Sequence, residues 1–207
     1  MGRSECDTRQ KLIDAALELM WKNSYSTVSV DDICKAIKVR KGSFYYFFPS
    51  KVDLALAAMD EASKVTQAMY DEAFSASRDP VARFERYADM TVEGQEWAKG
   101  KYGHVCGCPL ATMGSEMAGQ GSGIPEKFGE IYSQKLKHFE AALRDMITSG
   151  ELPEKTNVKV KAQELLSFIM GQLMMARIQN DLVPLKRDLK TGLLQLLGVN
   201  TKVPLAA

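Results

Sequence analysis

Apolar residues recur at spacings of three and four along almost the whole chain, and runs that alternate apolar with polar are nearly absent. Across residues 8–23 the pattern is carried by Leu12, Ile13, Ala16, Leu19 and Met20. That spacing lines one side of a helix and fits neither face of a strand. The periodicity predicts an all-α fold, which start and stop signals divide into about nine helices. Asp7 is placed to cap the first, and Asn23 and Ser24 to end it. Ser29 and Asp32 have the spacing of a capping box, with Asp in the place of Glu, and open a short helix that buries Val30, Ile33 and Ile37. Lys38, Val39 and Arg40 make a turn, and residues 41–48 a second short helix. Pro49 breaks it, and Ser50 caps a long helix over 51–76. Asp79-Pro80 is a cap followed by proline at the first helical position, and that helix runs to about Ala98. Residues 100–108, rich in glycine, are expected to be irregular, and Cys108-Pro109 restarts a helix toward Met117. A flexible link over 119–123 precedes helices over 125–148 and 158–180, and a last one from Pro184 to Gly198. At 207 residues the chain can bury a real core. The pattern implies two parts, a small N-terminal domain over residues 1–50 and a larger helical domain over 51–207.

Residues 33–52 hold five basic side chains (Lys35, Lys38, Arg40, Lys41 and Lys51), an unbroken aromatic run from Phe44 to Phe48, and no acidic residue. The net charge is only +1, so any footprint for nucleic acid must be a local patch of this kind. Two short helices joined by a short turn, behind a longer supporting helix, make a helix-turn-helix. The second helix must then meet base edges and phosphates with its N-terminal end. Arg40 and Lys41 bring charge to that end, Gly42 allows close approach of backbone to phosphate, and Ser43 and Tyr46 project donors. Phe44 and Phe48, at i and i+4, are expected in the core against Ile33, Ile37 and Leu54. Tyr45, Tyr46 and Phe47 cannot share that face, and outward aromatics beside Lys and Arg are costly unless a partner uses them.

These residues resemble the N-terminal DNA-binding domain of TetR-type transcriptional regulators. The likeness is carried by Ser29-Val30 and Ile33, then Lys41-Gly42-Ser43-Phe44-Tyr45-Tyr46 with Phe48, then Ser50-Lys51 and Leu54. It implies a homodimeric, usually repressing regulator that leaves a double-stranded DNA operator when a small ligand enters the C-terminal domain. Ser29 would then contact phosphate, Lys41, Gly42, Ser43, Tyr45 and Tyr46 would line the DNA face, and Lys51 would grip phosphate from the next helix. Arg40 stands where the family usually has Ser and is a candidate base or phosphate contact. Phe47 stands where a polar side chain or His is common, and thymine-methyl contact is one use for it. Ser24 replaces the usual Gly before Tyr25.

Nine of the eleven methionines lie beyond residue 50, and flexible thioethers suit adaptable pockets as well as irregular cores. From the resemblance, a ligand pocket would draw on Tyr70, Trp97, Met113, Met117, Phe128, Met170 and Met174, and would take an uncharged or weakly polar ligand. The helix over 158–180 has an apolar stripe (Leu165, Leu166, Phe168, Ile169, Leu173, Met174) too wide for one partner. The last helix adds Leu189, Leu193, Leu194, Leu196 and Leu197. In the family such helices form an intersubunit four-helix bundle.

The element His104-Val105-Cys106-Gly107-Cys108-Pro109 admits three readings. It offers at most three local metal ligands and lacks a second Cys pair, which disfavours zinc. As a thiol sensor, Cys108 would sit before Pro109 where the helix dipole favours thiolate, with Cys106 as a resolving thiol. The run from Gly107 to Met117 also resembles a subgroup of the family, some of whose members answer electrophiles or oxidants through a Cys here, while others bind small acids or other ligands. The third reading is a small residue packed at a helix start. Cys6 and Cys34 are expected to be incidental. Four cysteines are too few for a disulfide scaffold. No run of apolar residues is long enough to span a membrane and the N-terminus lacks a secretory pattern, so a cytoplasmic protein is expected. No Gly-rich phosphate loop appears, and His104 and His138 have no evident carboxylate constellation for acid–base work. Neither an enzyme nor a cofactor is therefore expected. The rival to a regulator is a helical adaptor that uses the same basic aromatic patch on a protein or membrane surface.

Overall fold

Ser29 opens its helix as its spacing predicts. In the computed structural model, which describes residues 2–199 and side chains from residue 7 onward, the Ser29 Oγ accepts from the Asp32 backbone N–H at 3.1 Å. The Asp32 carboxylate accepts in return from the Ser29 N–H at 2.9 Å and from its hydroxyl at 2.6 Å. Among the described residues there are nine helices and no strand. They are α1 (Gly2–Lys22), α2 (Val30–Ala36), α3 (Lys41–Phe47), α4 (Lys51–Ala73), α5 (Pro80–Tyr102), α6 (Pro109–Glu116), α7 (Ile124–Thr148), α8 (Val158–Gln179) and α9 (Val183–Leu196). The side chain of Cys6 lies outside the described residues.

The other caps explain the remaining boundaries. Ser50 Oγ accepts from the Asp53 N–H at 3.2 Å and starts α4. Asp79 Oδ1 accepts from the N–H of Val81 at 3.1 Å, with Pro80 at the first position of α5. Two boundaries differ from expectation by four residues or more. Helix α1 begins at Gly2, so Asp7 is an interior residue paired with Lys11 one turn on, at 2.6 Å. Helix α5 continues past Ala98 and Gly100 to Tyr102, because the stop needs a left-handed residue and Gly103, at φ 83°, is the one that supplies it.

The chain forms two compact units that do not follow a single cut at residue 50. Met1–Thr66 joins with Cys108–Ile131, and Gln67–Gly107 with Tyr132–Ala207. The first unit buries Leu12, Ile13 and Met20 of α1, Ile33 of α2, Phe44 and Phe48 around α3, Leu54 and Met59 of α4, and Leu110 and Met113 of α6. Full burial of each large apolar side chain contributes roughly 1.5–3 kcal/mol. Helix α6 approaches α7 closely at Gly114, where an added Cβ would lie 3.3 Å from the Phe128 ring. The Glu116 carboxylate ends α6 by accepting from the Ser26 N–H at 2.7 Å and the Ser26 hydroxyl at 2.8 Å, which ties this helix to the loop between α1 and α2. In the second unit, Phe74, Phe84, Tyr87 and Phe139 pack with ring centroids 5.1–5.6 Å apart. Beside them the buried Arg83 reaches the Asp145 carboxylate at 2.5 Å and the Arg78 carbonyl at 2.9 Å.

Candidate nucleic-acid interface

The turn between α2 and α3 is built from the backbone. Val39 N–H donates to the Cys34 carbonyl at 3.0 Å and Lys38 N–H to the Lys35 carbonyl at 3.2 Å, the paired closure of a Schellman ending. Its left-handed position is usually glycine and is here Lys38, at φ 58°. The chain then extends at Arg40 (φ −79°, ψ 152°), which caps α3 by backbone alone. With no side chain spent on capping, the exposed Arg40 guanidinium stands at the helix entry.

Helix α3 divides its aromatics by the helical repeat. Phe44 and Phe48 are buried and lie 6.2 Å apart, centroid to centroid. Tyr45 and Tyr46 point outward, 52% and 70% exposed. Phe47 is half-buried rather than presented, its ring edge-on to Tyr46 at 4.8 Å. A Cβ built on Gly42 meets no atom within 4 Å, so the first turn of α3 has no internal reason for a glycine. Ser43 is half-buried, and its N–H donates to the Arg40 carbonyl at 2.9 Å. Lys41 is exposed and its ammonium lies 3.1 Å from the Asp31 carboxylate. That hydrogen bond and its charge push the Lys41 pKa up, keeping the cation charged.

Two residues expected at phosphates also make hydrogen bonds within the domain. The Ser29 hydroxyl is held in its capping box, and the same hydrogen bonds hold the Asp32 carboxyl below its usual range. The Lys51 ammonium turns inward, donating to the carbonyls of Tyr25 and Val28 at 2.9 Å each and lying 4.0 Å over the Tyr25 ring. Burial pushes its pKa down. A further cation escaped the sequence reading: Arg9 of α1 lies 5.2 Å over the Phe48 ring. No local pattern marks it, because the pairing joins α1 to the end of α3.

The residues expected to line a ligand pocket divide between the units. Met113 and Met117 are buried in the first, and Phe128 packs there against Gly114. Tyr70 is buried in the second, its hydroxyl 2.9 Å from that of Tyr87. Met170 accepts a hydrogen bond from the Tyr132 hydroxyl at 3.1 Å. Trp97 is 56% exposed, edge-on to Tyr102 with Lys101 5.1 Å above its ring, and Met174 is exposed as well.

The loop after α5 is held from several sides. Gln95 exchanges two hydrogen bonds with the Gly107 backbone, at 2.8 and 3.1 Å. The Arg177 guanidinium donates to the Cys106 carbonyl, and the Asn180 side chain accepts from the Val105 N–H at 2.9 Å. Cys106 is fully buried, its Sγ 3.6 Å from the His104 carbonyl. Cys108 is half-buried at the start of α6, where its thiol makes no capping hydrogen bond. Cys34 is buried in α2, which raises its pKa. On α8 and α9, Leu165, Leu166, Ile169, Leu173, Leu189, Leu193, Leu194 and Leu197 are buried. Val160, Met174, Met175, Ile178 and Val183 remain exposed.

Comparison with known proteins gives this geometry a context. Residues 12–58 match the family model described as bacterial regulatory proteins, tetR family. Residues 80–191, more than half of the chain, match the tetracyclin repressor-like C-terminal domain. A stretch of 120 residues is 36% identical to the transcriptional regulator AcuR of Cereibacter sphaeroides, covering 58% of this chain and 51% of that protein. An uncharacterized HTH-type transcriptional regulator of Lactococcus lactis is 24% identical over 180 residues, covering 85% of this chain and 86% of its own. The crystal structure of a regulatory protein TetR from Rhodobacter sphaeroides superposes with a TM-score of 0.78 at 27% identity, over 91% of this chain and 96% of that one. With an exposed tyrosine pair on a helix-turn-helix and both family domains matched, the chain belongs to the TetR family of DNA-binding transcriptional regulators.

Proposed function

We propose that the chain is a cytoplasmic repressor that binds a palindromic operator as a homodimer and is released by a small molecule. The observation that carries the reading is the surface of α3. Tyr45 and Tyr46 are outward, Gly42 is open, and Arg40 and Lys41 flank them at the helix entry. In the reading, Arg40 and Lys41 take phosphate or guanine, Gly42 and Ser43 admit the backbone, and the tyrosines reach the groove. Ser29 and Lys51 act through the shape of the domain. The exposed apolar residues of α8 and α9 supply the dimer face, which supports two-fold symmetry in the operator. Selection of bound duplexes from a random pool tests it. A palindromic consensus is expected; binding without any sequence preference would favour the adaptor reading instead.

A thiol response is a second reading, favoured by Cys108, which is only partly buried at the start of α6. Cys106 is a poor resolving thiol because it is fully buried, so the reading rests on Cys108 alone. An alkylating electrophile should release the unaltered protein from its operator and leave the Cys108→Ser variant bound. Equal release of both would exclude the mechanism.

A further inference from the structure

Among the described residues, Lys38 and Asn180 are the non-glycine residues with positive φ, at 58° and 52°. A side chain there brings its Cβ too close to the carbonyl that follows, so the position favours glycine, and asparagine tolerates it better than most. Asn180 fits that rule and has a use inside its unit, where its side-chain oxygen accepts from the Val105 N–H at 2.9 Å. Lys38 has neither the tolerance nor the use. The turn fixes its conformation, because the N–H groups of Lys38 and Val39 close back on the Lys35 and Cys34 carbonyls. That closure does not ask for a long cationic side chain. Glycine would make the same two bonds without strain.

The Lys38 side chain brings no contact that offsets the strain. It is exposed, and among the described residues its ammonium makes no hydrogen bond and no ion pair. Its neighbours add a second cost. Lys35, Lys38, Arg40 and Lys41 put four exposed cations within seven residues, in a stretch without a carboxylate. Of the two acids just before it, Asp31 lies 3.1 Å from the Lys41 ammonium and Asp32 is held in the Ser29 capping box. Like charges crowded in this way repel one another. Both costs are offset when an anion approaches from outside. Val39 is half-buried between Lys38 and Arg40, so the two exposed cations flank it directly before α3.

We propose that Lys38 is a phosphate contact of the DNA reader, placed in the turn and not on the face of α3. The proposal rests on the regulator reading above, in which Arg40 and Lys41 meet the duplex beside it. An ammonium is a point charge on a flexible stem, suited to following a phosphate, and it lacks the fixed fork of a guanidinium. The partner is therefore a backbone phosphate of double-stranded DNA, contacted whatever the base sequence. The left-handed lysine gives up stability in the free protein for that charge, as strained residues at binding sites do.

The test uses the full chain, a duplex selected from a random pool and a duplex of random sequence, with affinity measured from about 50 to about 200 mM salt. Lys38→Gly should keep or raise the melting temperature. It should weaken binding to both duplexes and lower the salt slope by about one. Its deficit against the unaltered chain should then shrink about threefold across that salt range. Lys38→Asn, which also tolerates the left-handed conformation, should match the glycine variant. Lys38→Arg should keep both affinity and slope. The proposal is overturned if Lys38→Gly binds with an unchanged slope, or if Lys38→Arg loses as much as Lys38→Gly. A melting temperature that falls together with binding in the glycine variant would make Lys38 a structural residue and overturn it too. If the pool yields no preferred duplex the regulator reading falls, and the random-sequence duplex alone still decides the Lys38 contact. A palindrome selected by a chain whose Lys38→Gly variant keeps its slope would sink the Lys38 contact alone.

Discussion

Lys41 and Lys51 stand ten residues apart in the same acid-free stretch, and the fold uses them in opposite ways. Lys51 is a structural donor to the Tyr25 and Val28 carbonyls. Lys51→Ala leaves both acceptors without it and should cost about 1–2 kcal/mol in denaturant unfolding. Lys41 is exposed beside Asp31. Lys41→Ala should leave stability within about 0.5 kcal/mol, while weakening operator binding on all sequences and lowering the salt slope by about one. An unchanged salt slope would remove Lys41 from the phosphate contacts. Gly42 gives the sharper separation of fold from function. Nothing stands within 4 Å of an added Cβ, so Gly42→Ala should stabilise the domain by about 0.5–1 kcal/mol. The same methyl group would stand between α3 and the duplex, so operator affinity should fall while the melting temperature rises.

At the scale of the element, local chemistry was readable because it is written in local sequence. Ser29 and Asp32, Asp79-Pro80 and Ser50 each open the helix their spacing announces. Ser29→Ala removes one capping acceptor and should cost about 1 kcal/mol by thermal unfolding, with loss of DNA binding following only from the loosened α2. What could not be read was the partner each side chain would choose. Ser29 and Lys51 have side-chain types that suit phosphate, and only the packed domain shows the hydrogen bonds that hold their polar atoms within it. Phe47 is half-buried for a similar reason, since its ring finds Tyr46 instead of solvent. Helix α5 outran its expected end because Gly100 is tolerated inside a helix, whereas the left-handed Gly103 is not compatible with continuing one.

For the molecule as a whole, helix count and class were legible and the grouping of helices was not. Periodicity tells which face of a helix is apolar but not which other helix covers it. Residues 108–131 therefore joined the N-terminal unit without warning, held by Glu116 on Ser26 and by the Lys127 ammonium on the Asp60 carboxylate. The same limit hid Lys135, an ordinary lysine in sequence and a buried one in the fold. In the proposed regulator two copies of α3 read one duplex together. A symmetric dimer places its recognition helices about one duplex turn apart. The most direct measurement is binding to the selected palindrome before and after about five base pairs, half a turn, are inserted between its half-sites. Affinity should fall to that of non-specific duplex, a loss on the order of a thousandfold or more. Unchanged affinity for the spaced site would contradict the paired reader.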